Sequence, residues 1–404
     1  MWYAAAPVDL PTMASPTASA RPSAPRQRLG AILAVLGLLA AAVSLASCSA
    51  AAGGTRGARL GDLRPRSPRP GQVTDKRPES FGVGLGLVTW VDKQGYTENF
   101  YLGTTTPGRS LEVEVLYPTL SVKAPAVKVL ATPAYRFGPY PVIVFAHGYD
   151  LDPDTYRALL VSWAEAGYVV VAPFFPDTST SAVAAQHGAD TEGDIFNQPG
   201  DVAFVVSQLL KVAAGSPLTR LGYLDHMLEL DRLVLAGQSD GGNTVAALMY
   251  DHAYAATRQS LPVKPVAVAL LSASEMLRAE DVYSPPSGAG PLVLVVQSLT
   301  DSCNDPAHSS QLYDMLQGAT KWFLLIDNAT HLGPYVGLGT AATVVERATV
   351  AFFNLATGRP TATPSALHQA GERSGVSTIT SVANVPYYPA PPAVEDACSL
   401  PAGA

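Results

Sequence analysis

Short apolar runs alternate with amphipathic helical patterns through the middle of the chain. The runs, which no polar residue interrupts, are residues 141–146, 169–172, 233–236, 266–271, 292–296 and 322–326. Runs of this length are typical of strands that are buried on both faces of a parallel sheet. Apolar residues recur at helical spacing over residues 153–164, 201–212, 306–316 and 340–355. This alternation predicts an α/β fold, with a doubly wound, mostly parallel sheet flanked by helices.

The segments around these runs have other patterns. Between Phe81 and Tyr117 the polarity alternates with a period of two, which predicts strands, and Pro107-Gly108 predicts the turn before the last of them. Residues 174–200 are polar and contain glycine, so we expect a long loop that forms a lid or a pocket wall. From Gly358 onward the chain is rich in Pro, Ala, Ser and Thr, and we expect it to be irregular.

One apolar run leads into the sequence Gly237-Gln238-Ser239-Asp240-Gly241, and a helical pattern follows it at once. A strand, a sharp turn and a helix in this order are the setting of a G-x-S-x-G nucleophile elbow. Side chains two positions before and after a serine at so tight a turn would clash, and glycine has none. The pattern therefore predicts Ser239 as a nucleophile at the carboxyl end of a strand.

A serine hydroxyl needs a base to take its proton and an acid to orient that base. In enzymes with this elbow, the acid and then the histidine follow the serine along the chain. Asp301 comes just after an apolar strand, with Asp305 and Asp327 as alternatives, and His331 follows the last core strand. These positions share one edge of the predicted sheet. We therefore predict Ser239, Asp301 and His331 as the catalytic residues.

Acyl transfer also needs two backbone N–H groups that bind the developing oxyanion. The residue after the nucleophile, Asp240, supplies one of them. The loop after the strand that ends at His147-Gly148 supplies the other, which we assign to Tyr149. A carboxylate is unusual so close to a developing negative charge. We therefore expect the Asp240 side chain to point outward and to disfavour anionic substrates.

These residues resemble those of the α/β-hydrolase superfamily. Within it they are most similar to the branch of dienelactone-hydrolase-like enzymes, chlorophyllases, bacterial polyester hydrolases and platelet-activating factor acetylhydrolase. The resemblance extends over about residues 80–358, and its segments are 141–149, 166–173, 237–242, Thr300-Asp301 and 330–332. It implies an α/β-hydrolase fold, with Ser239 as nucleophile, Asp301 as acid, His331 as base, and Tyr149 and Asp240 as oxyanion donors.

Two positions depart from the residues that are commoner in the superfamily. Gln238 stands where His or Trp is commoner, and Asp240 stands where an apolar residue is commoner. Both line or neighbour the expected pocket, so the substrate does not follow from the resemblance.

The residues and the resemblance together predict a serine esterase that acts on a small-molecule carboxylic ester. Two alternatives stay open. The same residues can act on amide, peptide or polyester bonds, or the chain can be a non-catalytic protein of this fold that binds a ligand or a partner. Haloalkane dehalogenase chemistry is disfavoured because it needs an aspartate where Ser239 stands. No metal-ligand spacing or phosphate-binding loop is evident, so we expect no metal and no cofactor.

The N-terminal segment has the pattern of a targeting sequence. Residues 1–29 carry three arginines, residues 30–44 are almost entirely apolar, and Leu45-Ala-Ser-Cys48 follows. A basic segment, an apolar core and small residues are typical of a secretory signal peptide. The last four residues resemble a bacterial lipobox, in which the cysteine is diacylated and becomes the new N-terminus. An uncleaved membrane anchor is the alternative, but the apolar run is short for a span and ends at the cysteine.

We therefore expect an exported protein that a lipid on Cys48 anchors to the outer side of a bacterial membrane, with Met1 or Met13 as its start. Seven basic and two acidic residues lie between positions 49 and 77. A basic tether suits an anionic lipid surface, although incidental charge in a disordered linker is the alternative. The whole chain has a net charge of −7, so we expect no nucleic-acid partner.

If Cys48 is acylated, Cys303 and Cys398 remain, and two cysteines in an exported protein can pair as a disulfide. We expect this disulfide to hold the C-terminal tail beside the active-site loop. The predicted organisation is a lipoprotein signal peptide at 1–47, a flexible basic tether at 48–79, a catalytic domain at 80–358 and a Pro/Ala-rich tail at 359–404.

Overall fold

The computed structural model describes residues 77–121, 126–216, 220–273, 282–284, 290–393 and Cys398. They belong to the second of the two units into which the chain divides, Thr74–Ala404. The predicted signal peptide, Cys48 and nearly all of the predicted tether lie outside the described residues, so those assignments stay predictions. Within the described part of the chain, no helix has both the length and the apolar character needed to cross a bilayer.

In the part of the chain that the structure describes, ten strands form one sheet whose central part is parallel. They are β1 (Gly82–Asn99), β2 (Thr104–Thr119), β3 (Val127–Val129), β4 (Tyr140–Ala146), β5 (Val169–Phe174), β6 (Leu228–Gln238), β7 (Ala267–Leu271), β8 (Leu292–Ser298), β9 (Lys321–Ile326) and β10 (Ser377–Thr380). Their order is β10-β9-β8-β7-β6-β4-β5-β2-β1-β3. Strands β5, β4, β6, β7, β8 and β9 pair in parallel, and β2 and β10 add to them antiparallel.

Helices cover both faces of this sheet. They are α1 (Arg157–Glu165), α2 (Thr180–Ala185), α3 (Gln198–Ala213), α4 (Asp240–Tyr250), α5 (Ala255–Gln259), α6 (Pro306–Met315), α7 (Gly333–Val336), α8 (Thr340–Ala356) and α9 (Pro364–Gly371). Apolar side chains of α3, α4 and α6 pack in one core cluster, and those of α1, α7 and α8 pack in another. The central strands are therefore buried on both sides, and the doubly wound α/β prediction is confirmed.

The turn between the first two strands lies earlier than Pro107-Gly108, so that part of the prediction is wrong. The turn occupies residues 100–103 and ends at Gly103, which has a φ of +63°. Pro107 instead pairs with Tyr96 inside the hairpin, next to a shift of register. Gly108, with a φ of +88°, adopts a conformation there that other residues rarely tolerate.

The C-terminal segment is not irregular as predicted, because it adds a helix and a strand to the domain. Helix α9 begins at Pro364, and the Thr363 hydroxyl caps it by accepting a hydrogen bond from the Ala366 N–H group at 3.1 Å. Leu367 on this helix is fully buried. Strand β10 then pairs with β9, so the fold continues past residue 358. Threonine before proline is a helix-start signal that the composition of the segment obscured.

The predicted loop at residues 174–200 contains α2 and is built around a buried arginine. Arg109 on β2 forms ion pairs with Asp194 at 2.5 Å, Asp201 at 2.7 Å and Asp177 at 3.2 Å, and we call these four residues the Arg109 cluster. Burial raises the pKa of Asp201 to about 7 and that of Asp177 to about 6, although Arg109 opposes both shifts. The cluster ties the loop to β2 and to α3, on which Asp201 lies.

Candidate active site

The turn between β6 and α4 has the strained geometry expected of a nucleophile elbow. Ser239, between the two elements, has a φ of 54° and a ψ of −124°. A Cβ atom on Gly237 would overlap with the carbonyl group of Gly241, and one on Gly241 would overlap with a carbonyl group at the end of β4. Both positions therefore exclude larger residues, which is the steric rule on which the sequence prediction depends.

The structure brings Ser239, Asp301 and His331 together. His331 Nε2 lies 3.0 Å from Ser239 Oγ, and His331 Nδ1 lies 2.8 Å from Asp301 Oδ2. Ser239, Asp301 and His331 follow the carboxyl ends of β6, β8 and β9, respectively. Their exposed fractions are 9%, 0% and 2%. Because Nδ1 faces a carboxylate, it donates its hydrogen there, and the Nε2 lone pair faces the serine hydroxyl.

The loop that contains Asp301 fixes the position of its carboxylate. Asp301 Oδ1 accepts hydrogen bonds from the N–H groups of Cys303 and Asn304 at 3.0 and 2.9 Å, which leaves Oδ2 for His331. The predicted Cys303–Cys398 disulfide is present and connects this loop to the C-terminal segment. The acid therefore lies two residues from a covalent link to the tail.

The two alternative acids have other contacts. Asp305 is the N-cap residue of α6, and its carboxylate accepts a hydrogen bond from the Ala307 N–H group at 2.8 Å. Asp327 follows β9 and donates its own N–H to the Val376 carbonyl at 2.9 Å. Among the described residues, Asp301 is the one whose carboxylate is hydrogen-bonded to His331.

A neutral histidine orients the predicted oxyanion loop. His147 Nε2 accepts a hydrogen bond from the Phe175 N–H group at 2.9 Å, so Nδ1 carries the hydrogen and donates it to the Gly148 carbonyl at 2.8 Å. Burial lowers the pKa of His147 to about 4. Carbonyl and N–H groups of a trans peptide point in opposite directions, so the N–H of Tyr149 is directed away from His147.

The Asp240 side chain does not extend into solvent as we expected. The residue is 9% exposed at the first turn of α4. Its charge acts with burial to raise the pKa of Tyr156 well above its usual range. The carboxylate is therefore enclosed near Tyr156, because α4 enters the interior directly from the elbow.

Two residues extend this site: Gln238, which the sequence placed beside the pocket without a role, and Tyr156, which the sequence did not indicate. The Gln238 side-chain nitrogen lies 3.2 Å from His331 Nε2, and its oxygen accepts a hydrogen bond from the Tyr156 hydroxyl at 2.6 Å. The signal available in the sequence was a long polar residue at an elbow position that packs inward. Tyr156 gave no signal, because its aromatic ring fitted the apolar face of a helix.

Comparisons with known proteins agree with this fold. The chlorophyllase family model matches residues 97–270, which include Ser239. Among solved structures, the chain is similar to a ferulic acid esterase from Streptomyces cinnamoneus, with 19% sequence identity and a TM-score of 0.52. That alignment covers 73% of this chain and 94% of the esterase chain. No curated protein matches the chain.

The sheet and the elbow have the architecture of the α/β-hydrolase fold. The match to the chlorophyllase family model supports the chlorophyllase-like branch that the sequence predicted. The family match also supports an ester hydrolase in general.

Proposed function

We propose that this protein is a serine hydrolase that cleaves carboxylic esters through an acyl-enzyme intermediate. The observation that carries the proposal is the continuous hydrogen-bonded sequence from Ser239 through His331 to Asp301. It supplies a nucleophile, a base and an acid that orients the base, in the geometry that this chemistry requires. A non-catalytic binding protein would need none of these contacts.

In the proposed reaction, the Ser239 proton passes to His331 Nε2 while Oγ bonds to the ester carbonyl carbon and the π electrons move to the carbonyl oxygen. Collapse of this intermediate breaks the bond to the alcohol oxygen, which takes the proton from Nε2 and leaves. Water then attacks the acyl-enzyme in the same way, and Ser239 departs with its proton restored. Asp301 stays ionised throughout and stabilises the imidazolium that forms twice.

Two backbone N–H groups would bind the oxyanion, one from Tyr149 and one from Asp240. His147 supports the first assignment, because it holds the preceding carbonyl group and so directs the Tyr149 N–H away from itself. The second N–H lies at the N-terminus of α4, where backbone donors and the helix dipole favour negative charge. Preorganised donors of this kind are each worth about 10²- to 10³-fold in rate.

Labelling with a fluorophosphonate probe tests the proposal. We expect wild-type protein to be labelled and Ser239→Ala to be unlabelled, because the probe forms a bond to an activated serine. Ser309→Ala is the matched control, since Ser309 is also buried but hydrogen-bonds to the Ala273 carbonyl. Labelling that persists in Ser239→Ala would remove the proposed nucleophile.

A panel of soluble esters, peptides and polyester films tests the bond that is cleaved. We expect turnover of soluble esters, since the family match supports an ester hydrolase. Faster cleavage of peptides or of polyester would replace the proposed substrate class and keep the mechanism. Absence of both turnover and labelling would favour the binding-protein alternative. Export and lipid anchoring at Cys48 stay proposals from the sequence.

A further inference from the structure

Gln238 occupies an unusual place beside the proposed base. It is fully buried between the strand and the elbow, and its side-chain nitrogen lies 3.2 Å from His331 Nε2. Ser239 Oγ also lies within hydrogen-bond distance of this nitrogen atom, at 3.0 Å. Two groups therefore compete for one lone pair, and the second group is not part of the proposed triad.

Neighbouring hydrogen bonds fix which end of the Gln238 amide faces the base. The Gly148 N–H group donates to the Tyr156 hydroxyl oxygen at 3.1 Å, and the hydroxyl donates its single hydrogen to Gln238 Oε1 at 2.6 Å. Burial raises the pKa of Tyr156 well above its usual range, so the hydroxyl keeps this hydrogen. The oxygen end of the amide is thereby held, and the NH₂ group faces His331.

We propose that Gln238, held by Tyr156, is a positioning residue that acts through His331 by donating a hydrogen bond to the lone pair of its neutral imidazole. This inference rests on the proposed function, because it assigns His331 the role of base. The hydrogen bond exists only while Nε2 is unprotonated. Gln238 therefore opposes protonation of the resting base by solvent.

The same arrangement has a consequence after Ser239 has transferred its proton. The imidazolium N–H then faces an amide NH₂ group, which offers no acceptor. The imidazolium consequently gives this proton to the leaving alcohol oxygen more readily than it would if a hydrogen-bond acceptor stood in place of the NH₂ group. Gln238 thus favours the proton-free base before attack and proton donation after it.

Little space is left around Gly148, where the side chains of Gln238 and Tyr156 meet. A Cβ atom at Gly148 would lie 2.9 Å from Gln238 Oε1 and 3.1 Å from the Tyr156 hydroxyl. A larger residue at this position would push the Gln238 amide and the Tyr156 hydroxyl from their places. Tyr156 is itself fixed by its ring, whose centroid lies 4.9 Å from that of Phe145.

Other ionisable groups around the site come from several elements, and replacing Gln238 removes none of them. Asp301, after β8, contacts the opposite nitrogen of the imidazole. Asp240 on α4 acts on Tyr156, and Tyr335 on α7 lies close enough to Asp301 for the two to interact electrostatically. His147, after β4, is held neutral by burial. A change in the pH dependence of kcat/KM in Gln238→Met is therefore assigned to the loss of the amide.

The pH dependence of kcat/KM for a soluble ester tests the inference. Gln238→Met keeps the side-chain length and removes the donor, so we expect the midpoint of the acidic limb to move up by about 0.5 to 1 pH unit. Gln238→Glu places an acceptor there, and we expect a larger move in the same direction, of more than about 1 pH unit. Gln198→Met is the matched control, since Gln198 is fully buried but hydrogen-bonds to Thr178 and Thr244.

Tyr156→Phe supplies a second test that keeps the ring and removes the hydroxyl. It frees the Gln238 amide to turn, and we expect the acidic limb to move in the same direction as in Gln238→Met. A limb that stays within about 0.2 pH unit of wild type in both variants overturns the inference, as does an equal shift in Gln198→Met. The proposed function fails separately, if the wild-type protein is neither labelled by the fluorophosphonate nor active on any ester.

Discussion

Replacing His147 with glutamine should remove a large part of the acid sensitivity of the folded protein. Burial lowers the pKa of His147 from its ordinary 6.5 to about 4 in the folded state. Between pH 6.5 and pH 4, the unfolded chain therefore binds a proton at this residue and the folded chain does not. The free energy of unfolding is at its full value above pH 6.5 and falls as the pH drops toward 4.

The size of this effect follows from the difference of about 2.5 pH units between the two states. At about 1.4 kcal/mol per unit, His147 accounts for about 3 kcal/mol of the stability lost between pH 7 and pH 4. The assay is urea unfolding of the wild-type and His147→Gln proteins at both pH values. Carboxyl groups titrate in both proteins and cancel in the comparison. Glutamine keeps an acceptor within reach of the Phe175 N–H group and does not titrate.

We expect His147→Gln to lose about 3 kcal/mol less than the wild type does over this pH range. The control is His226→Gln, because the His226 side chain is 77% exposed and its ion pair with Asp225 lies at the surface, where such pairs contribute little to stability. Equal losses in the wild type and in His147→Gln would refute the assignment of a neutral, buried His147. They would also remove the reason for the direction of the Tyr149 N–H group.

Five further substitutions test the remaining structure. Arg109→Met should lower the free energy of unfolding by about 3 to 5 kcal/mol in urea denaturation, because buried carboxylates lose their cation. Cys398→Ser should lower it by about 2 to 4 kcal/mol and reduce kcat by loosening the acid loop. Asp301→Asn should reduce kcat about 10³- to 10⁴-fold. Asp305→Asn should change kcat little, because asparagine caps helices as well as aspartate does. Equal losses of kcat in the two variants would contradict the assignment of Asp301 as the acid. Asp240→Asn should raise kcat/KM for anionic esters relative to neutral ones.

The geometry of the candidate site was predictable where short-range sterics determine it. Gly237 and Gly241 have backbone neighbours that exclude a side chain, so their spacing around Ser239 specified the turn directly. Asp301 and His331 followed from the rule that loops at the carboxyl ends of parallel strands share one edge of the sheet. The positions of these residues could therefore be derived from local pattern and topology alone.

Other features depend on contacts between distant parts of the chain, and the sequence gives no local sign of them. Arg109 meets its carboxylate partners 68 to 92 residues further along, so the cluster cannot be derived from spacing. Tyr156 and Gln238 are 82 residues apart in sequence, and the pairing of β4 with β6 brings them together. The Pro107-Gly108 error has a different cause, because a bulge and a turn both use glycine at positive φ.

Strand β10 has a consequence for the solubility of the chain. Its four residues cover the outer side of β9, whose sequence Lys-Trp-Phe-Leu-Leu-Ile is apolar after its first residue. Uncovered strands of this kind recruit further strands from other molecules. A shorter chain that ends at residue 358 would therefore be expected to self-associate, even though each residue of the proposed triad would still be present.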